Sequence, residues 1–466
     1  MSPTTCARIC SLFWWLSLLQ LATGAEVDED AIDKASSGPV YSYRPSSVDF
    51  GLASSNDSIL SDDGSPWSYK PTCTANLSEI GSELCVYTAK FFSNGRGISI
   101  FTTPAIAVEF AVTLAFLDEQ EPPPMPDNTL RINTFTGAWY TQSVPGKGMG
   151  TLAKRDLLRG DTITAYTPVL LAYKEDILPR DERERFLQLA LAQLPPPSRE
   201  AYLKLATISH SDDPSVFPAQ EIASANAFEM VLPEQKKKKK KKEDQASPPP
   251  AAASAAASAK AHLAIIPEAS RMNHDCAPNA IFHVNASTLT HVVRATRPIH
   301  QGEEITIAYT NPLAPRATRQ RYLAGAFHFK CTCGRCLRHG TGTDADADAV
   351  LAEISALQTA LSRWSDPTGS VADAGANNIK RIERLVRLLR DEGLEGYLDP
   401  AYCIAALVYS AAGSVRGARK YLALAIEAIE LRLGPGAPDL PAWRDMLQDP
   451  TRHWSWMLSK RKKGKI

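Results

Sequence analysis

The spacing of hydrophobic and polar positions changes character along the chain, and the changes mark its parts. GTLAKRDLLRGDTITAYTPVLLA (150–172) carries short β-rich runs around Arg159-Gly160-Asp161, which predicts strands about a turn. RDERERFLQLALAQL (180–194) sets Phe186, Leu187, Leu189, Leu191 and Leu194 behind a charged first turn. That predicts a helix stopped by the prolines at 195–197. Residues 280–308 give three further β-rich runs, with turns at Asn285-Ala286-Ser287 and Gln301-Gly302-Glu303. From about Ala349 the period becomes helical: Val350, Leu351, Ile354, Leu357, Leu361 and Trp364 form one series, and Ile379, Ile382, Leu385, Val386 and Leu389 another. Ala406, Tyr409, Gly413, Ala418, Leu422 and Ala425 then fall as in a tetratricopeptide-like helical hairpin. The expected class is α+β, a β-rich domain with a helical insertion followed by an all-α domain.

Two stretches break the pattern. Residues 26–66 are rich in Ser, Asp and Gly and read as a disordered linker. Residues 209–260 contain the lysine run at 236–242, EDQASPPP and an Ala/Ser tract, and read as a low-complexity insertion. The lysine run is either a solvated segment or a nuclear-localisation or nucleic-acid patch.

Charge decides part of that. Basic and acidic residues number 51 each, and removing the seven lysines of the run leaves 44 against 51. The folded part is therefore mildly acidic, so direct nucleic-acid reading is not expected. At the N-terminus, Arg8 precedes a 13-residue apolar stretch at 9–21, small residues at 22–25, and then acids. This order predicts a secretory signal peptide at 1–25, with an uncleaved anchor or a chance apolar segment as alternatives. No other run approaches the ~20 residues of a spanning helix, so no transmembrane span is expected in the mature chain. The basic tail at 459–466 and the lysine run argue instead for nucleus or cytoplasm, and the two addresses exclude each other. Sequons at Asn56, Asn76 and Asn285 are compatible with secretion.

Nine cysteines are too few for a disulfide scaffold, so their spacing carries the information. FKCTCGRC places Cys331, Cys333 and Cys336 within six residues, where an unstrained disulfide set is excluded but convergence on one metal is not. Tetrahedral zinc needs a fourth ligand, and Cys276 in NHDCAPN offers one; reduced, unliganded thiols are the plainer alternative. Cys73 and Cys85 flank a helical-looking stretch, TANLSEIGSEL. They close a small loop in an oxidising compartment or pack as apolar side chains in a reducing one. Cys403 reads as core.

NHDCAPN (273–279), GEEITIAY (302–309) and FKCTCGRC (329–336) follow one another closely. In that order they strongly resemble the SET-domain protein lysine methyltransferases, and SVPGKGMGTLAKRDLLRGDTI is similar to the family's opening. The G-x-G of SNGRGISIFTT (93–103) lacks the downstream Gly-Asp turn and reads as a tight turn. The resemblance spans about 136–337. It implies S-adenosyl-L-methionine as cofactor, zinc on Cys276, Cys331, Cys333 and Cys336, and a protein lysine as substrate, histone or not. Lys147 and the backbone at Gly148 and Met149 would cradle the cofactor's amino-acid end and ribose. Asn273 would hold it through the amide and His274 through the main chain, with Phe329 beside the adenine. Tyr309 would be the catalytic tyrosine. Its implied role is to orient the amine, since a phenol of ordinary pKa near ~10 is a poor resting base. Methyl transfer needs an uncharged amine in line with the S–CH3 bond, and an apolar channel favours the neutral amine.

The implied organisation is a flanking module at 67–130, a SET domain at 131–310, a zinc-bound post-SET loop at 311–340 and a helical domain at 346–458. The layout is similar to the SET-and-MYND subfamily without a MYND finger. The helical domain would offer a surface to a peptide or protein partner. A catalytically inactive SET protein serving as a binding or scaffold module is the alternative function.

Overall fold

The computed structural model describes residues 65–119, 132–174, 176–207, 217–232, 261–337, 344–362 and 376–463. The signal-peptide stretch at 1–25, nearly all of the linker at 26–66, the lysine run and the last three residues of the basic tail lie outside the described residues.

Among the described residues the strands begin with β1 (Thr72–Cys73), β2 (Cys85–Ala89), β3 (Ile98–Thr102), β4 (Trp139–Val144) and β5 (Gly148–Ala153). There follow β6 (Thr162–Tyr166), β7 (Leu170–Tyr173), β8 (Ala227–Val231) and β9 (Ala261–Ile265). The last are β10 (Asn273–His274), β11 (Ala280–Asn285), β12 (Thr290–Ala295) and β13 (Glu304–Ile307). They form three sheets, in the orders β1-β2-β3-β7-β9-β8, β10-β13-β5-β4 and β11-β12-β6. The strands expected around Gly160 and within 280–308 are present. Gly160 and Gly302 turn with φ of 94° and 81°, a region that costs glycine least.

The described residues of 67–130 do not make a sheet of their own. Strand β3 pairs in parallel with β7, Ser99 opposite Leu170, so the N-terminal hairpin extends the largest sheet. Cys73 and Cys85 face each other across β1 and β2 and are joined as a disulfide. The stretch between them is a turn rather than a helix. Leu77 N–H bonds to Ser82 O, and Gly81 takes a φ of 61°. Eleven residues tied at both ends by paired strands leave too little length for a packed helix.

Helix α1 (Pro104–Glu119) follows β3, and α2 (Arg180–Gln193), α3 (Pro196–Leu203) and α4 (Pro218–Asn226) form the helical insertion. The prolines at 195–197 end α2 and also begin α3, because a proline in the first turn lacks only an N–H that would have no helical partner. The low-complexity reading of 209–260 is corrected at 217–232, which is folded. Ala219, Ile222, Met230 and Leu232 are buried. The Glu184 carboxylate accepts hydrogen bonds from Ala219 N–H and Gln220 N–H at 2.9 Å each, starting α4 from another helix.

After β13 come α5 (Arg316–Phe327) and the single turn α6 (Gly334–Leu337), then the helical domain. It comprises α7 (Asp344–Ser362), α8 (Ala376–Asp391), α9 (Asp399–Ala411), α10 (Val415–Leu433), α11 (Leu440–Gln448) and α12 (Leu458–Lys463). The periodic residues expected here, Ile382, Leu385, Val386, Ala406, Ala418, Leu422 and Ala425, share one core. Between α9 and α10 the chain turns at Gly413, and Gly417 has no room for a Cβ beside the Tyr409 ring. Cys403 is in that core.

The domain packs on the β11-β12 sheet. A Cβ on Gly396 would stand 2.8 Å from Thr296 Cγ2, so the Gly396 backbone lies directly against the Thr296 side chain. Arg159, from the turn before β6, reaches across to Glu427 at 2.7 Å and to the carbonyls of Thr296 and Glu395. No helix among the described residues is long and apolar enough to cross a membrane.

Candidate functional site

The site is built where β10 lies parallel to β13, with Asn273 opposite Thr306 and His274 opposite Ile307. Asn279 fixes this arrangement. Its amide nitrogen donates to Glu304 O at 2.8 Å and its oxygen accepts from Thr306 N–H at 2.8 Å, so the NHDCAPN segment is stitched to the GEEITIAY strand. On the other side, β13 pairs with β5, Glu304 opposite Leu152. Three motifs distant in sequence thereby meet in one sheet.

Glu304 organises the residues expected to hold a cofactor. Its carboxylate accepts from Lys147 Nζ at 2.7 Å through Oε2 and from Asn273 Nδ2 at 2.9 Å through Oε1. Gly150 lies beneath them, and a Cβ there would come within 3.0 Å of both Asn273 Nδ2 and Glu304 Oε1. The G-x-G spacing is thus explained at both ends. Gly148 has a φ of 73° after the hairpin turn, while Gly150 makes room for the carboxylate–amide pair. The other G-x-G belongs to a turn in which Gly97, at φ 71°, is pressed against Pro195.

Tyr309, two residues beyond β13, donates its phenol proton to Met272 O at 2.7 Å. Its ring is 4.8 Å from that of Phe327, 5.5 Å from His274 and 6.5 Å from Phe329. These rings make an aromatic wall next to Asn273 and His274. Burial lowers the His274 pKa to about 4, the positive charges of Arg319 and Lys147 adding to the effect against the Cys333 thiolate. The imidazole is neutral at pH 7.

Cys276, Cys331, Cys333 and Cys336 converge, all four buried, with their sulfurs within 4.8 Å of one another. Cys276 Sγ is 3.6 Å from Cys336 Sγ and 4.0 Å from Cys331 Sγ. Sulfurs around tetrahedral zinc, at ~2.3 Å from the metal, stand about 3.8 Å apart, so the set fits zinc in number, type and spacing. Hydrogen bonds among the four sulfurs lower the Cys333 and Cys336 thiols and raise Cys331, while Cys276 is raised against the bond to Cys331. The loop is held in shape by Gln320, whose amide exchanges two hydrogen bonds with the Cys331 backbone at 2.8 and 2.9 Å.

The structure brings Lys147 and Asn273 together on Glu304, His274, Tyr309 and Phe329 together as neighbouring rings, and the four cysteines into one cluster. Glu304, Asn279, Phe327, Arg319 and Gln320 were not singled out. Glu304 and Asn279 stood inside the quoted motifs, and their partners are 31 and 27 residues away. Arg319 sits in a helix with three other arginine or glutamine neighbours and carried no signal of its own.

Part of the chain is similar to known proteins. A family profile described as SET domain matches residues 148–310. A histone-lysine N-methyltransferase of Arabidopsis thaliana, ASHR1, is 35% identical over 19% of the chain and 18% of its own length. The N-lysine methyltransferase SMYD2 of Bos taurus is 37% identical, covering 20% of each chain. SET domain-containing protein SmydA-8 of Drosophila melanogaster is 43% identical over 16% of the chain and 15% of its own length. The chain thus matches no more than about a fifth of the length of these relatives.

Proposed function

We propose, from the SET-domain profile match over residues 148–310 and the partial similarity to lysine methyltransferases, that the chain transfers methyl groups to the side-chain amine of a protein lysine. The cofactor, S-adenosylmethionine, supplies the methyl group on a sulfonium. Lys147, the backbone at Gly148 and Met149, Asn273, His274 and Phe329 would hold it, grouped as they are around Glu304 and the aromatic wall. The observation that carries this reading is the hydrogen bond from Tyr309 to the Met272 carbonyl. With its proton given to that carbonyl, the phenol oxygen presents lone pairs. It can accept an N–H of the amine and so orient the nitrogen lone pair toward the reacting carbon. Tyr309 thus acts by orientation rather than as a base.

The four-cysteine centre is read as structural zinc, since four protein ligands leave no open position for chemistry. The test is transfer of tritiated methyl groups from S-adenosylmethionine to fractionated cell extract. Labelled protein with the wild-type chain, and none with Tyr309→Phe, supports the reading; equal labelling by both removes it.

We further propose entry into the secretory pathway, against the alternative of nucleus or cytoplasm. The Cys73–Cys85 disulfide supports an oxidising compartment. Mass-spectrometric sequencing of the native N-terminus decides it. A start near residue 25 agrees with the proposal, and an intact Met1 or Ser2 with nuclear staining contradicts it.

A further inference from the structure

Two side-chain nitrogens approach the Cys276 sulfur. Besides its neighbouring sulfurs, it has His274 Nε2 at 3.3 Å and Arg319 Nε at 3.3 Å. Cys276 is wholly buried, and His274 and Arg319 are almost so. Arg319 also reaches the Cys336 sulfur and gives a second N–H to Ala314 O.

The protons on His274 follow from its partners. Tyr309 N–H lies 3.0 Å from Nδ1, and a backbone N–H can only donate, so Nδ1 is the acceptor. With Nδ1 accepting, the ring's N–H is on Nε2, which lies against the sulfur. One imidazole thus spans the metal ligand two residues ahead of it and the main chain of the residue with the reacting phenol. Four thiolates around a divalent cation leave two negative charges in a buried place. A guanidinium N–H and an imidazole N–H directed at one of them are the groups that spread that charge.

We propose that His274 and Arg319 are positioning residues: together they fix the Cys276 sulfur and its electron density, and His274 ties the four-cysteine centre to the backbone of Tyr309. This rests on the zinc reading above and gives the His274 side chain a task distinct from its main-chain role toward the cofactor.

The test uses the full chain loaded with cobalt(II) in place of zinc, together with zinc affinity from chelator competition. Hydrogen bonds to a thiolate lower the energy of its electrons. Their loss therefore moves the sulfur-to-cobalt charge-transfer band to lower energy. Arg319→Met and His274→Asn should each show that shift and a 10- to 100-fold weaker zinc affinity, of the order known for outer groups around metal ligands. Asn keeps an acceptor for Tyr309 N–H but loses the donor to sulfur. His274→Gln, which restores a donor near Nε2, should keep the wild-type band, and Arg319→Lys should recover part of the affinity. Wild-type bands and affinity in both His274→Asn and Arg319→Met overturn the proposal and leave the zinc reading standing; where Arg319→Met does not fold, the same result in His274→Asn alone overturns it. A wild-type chain that takes up no cobalt or zinc overturns the zinc reading itself, and the proposal with it.

Discussion

Arg335, between two of the clustered cysteines, meets Glu392 at the end of α8 with Nε 2.6 Å from the carboxylate, both side chains nearly out of solvent. The same guanidinium donates to Cys276 O at 3.0 Å and to Pro312 O. One side chain thus joins the four-cysteine loop, the segment that feeds it and the helical domain. Removing one partner of a buried pair leaves the other charge uncompensated, at a cost of about 3–5 kcal/mol. Glu392→Ala should lower the urea midpoint accordingly and speed metal loss to a chelator. A midpoint within error of wild type would show the pair to be dispensable.

One zinc per chain is expected by elemental analysis, falling sharply in Cys333→Ser. Structural zinc contributes ~10–16 kcal/mol of apparent binding free energy, so chelation should also melt the loop after α5. Freshly reduced protein with a stoichiometry near zero would refute the assignment.

Tyr309→Phe deletes the hydroxyl bound to Met272 O and keeps the ring against Phe327. S-adenosylmethionine binding, measured by calorimetry, should persist, while methyl transfer falls by about 100-fold or more, the usual effect of losing a positioned hydrogen-bonding group. A wild-type rate would mean that another residue orients the amine.

Excision within the low-complexity stretch now has sharper limits. Val231 and Ala261 are directly paired on β8 and β9, so a short glycine turn can replace 234–259 without moving either strand, and loop length itself costs little. Deleting 211–260 instead removes α4 and β8 with their buried Ile222 and Met230. The short excision should leave the melting temperature nearly unchanged and the long one should lower it or yield aggregates. Equal melting of the two would mean that α4 and β8 add nothing to the fold.

Two buried histidines set a pH dependence. Burial, with Arg294 nearby, lowers His283 to about 4, and burial, with His283 nearby, lowers His291 to about 3. Both values lie below the unfolded ~6.5, so their stabilisation is complete above that pH and lost as pH falls toward the folded values. Between pH 7 and pH 5 this amounts to roughly 2 kcal/mol per histidine. His291 stacks among Phe228 and Phe282, and neither of its ring nitrogens has a hydrogen-bond partner among the described residues. His291→Phe should flatten the pH profile of the urea midpoint; an unchanged slope would assign it to other groups.

The sequence was most readable where chemistry and local spacing coincide. Cys331, Cys333 and Cys336 are near neighbours, and Asn273, His274 and Tyr309 lie in motifs of fixed order. The clamps that position them were hidden, because Glu304 and Arg335 act on residues brought close only by folding. α4 and β8 were missed for a different reason. They are a short folded segment beside a lysine run and a proline-alanine tract, and composition averaged over such a window describes the neighbours. The cap that starts α4 comes from Glu184, 35 residues upstream, which no local pattern announces.

Lys147 and Glu304 are 157 residues apart in the chain, and Cys276 and Cys336 are 60 apart. Closing loops of that length must precede any reward from the contacts, which makes such pairings slow to form. Lys147, Asn273 and Glu304, and the four cysteines, therefore meet late, through contacts between distant parts of the chain. A chain stalled during folding would keep much of its secondary structure without these clusters, so the proposed cofactor binding would report completed folding rather than its progress.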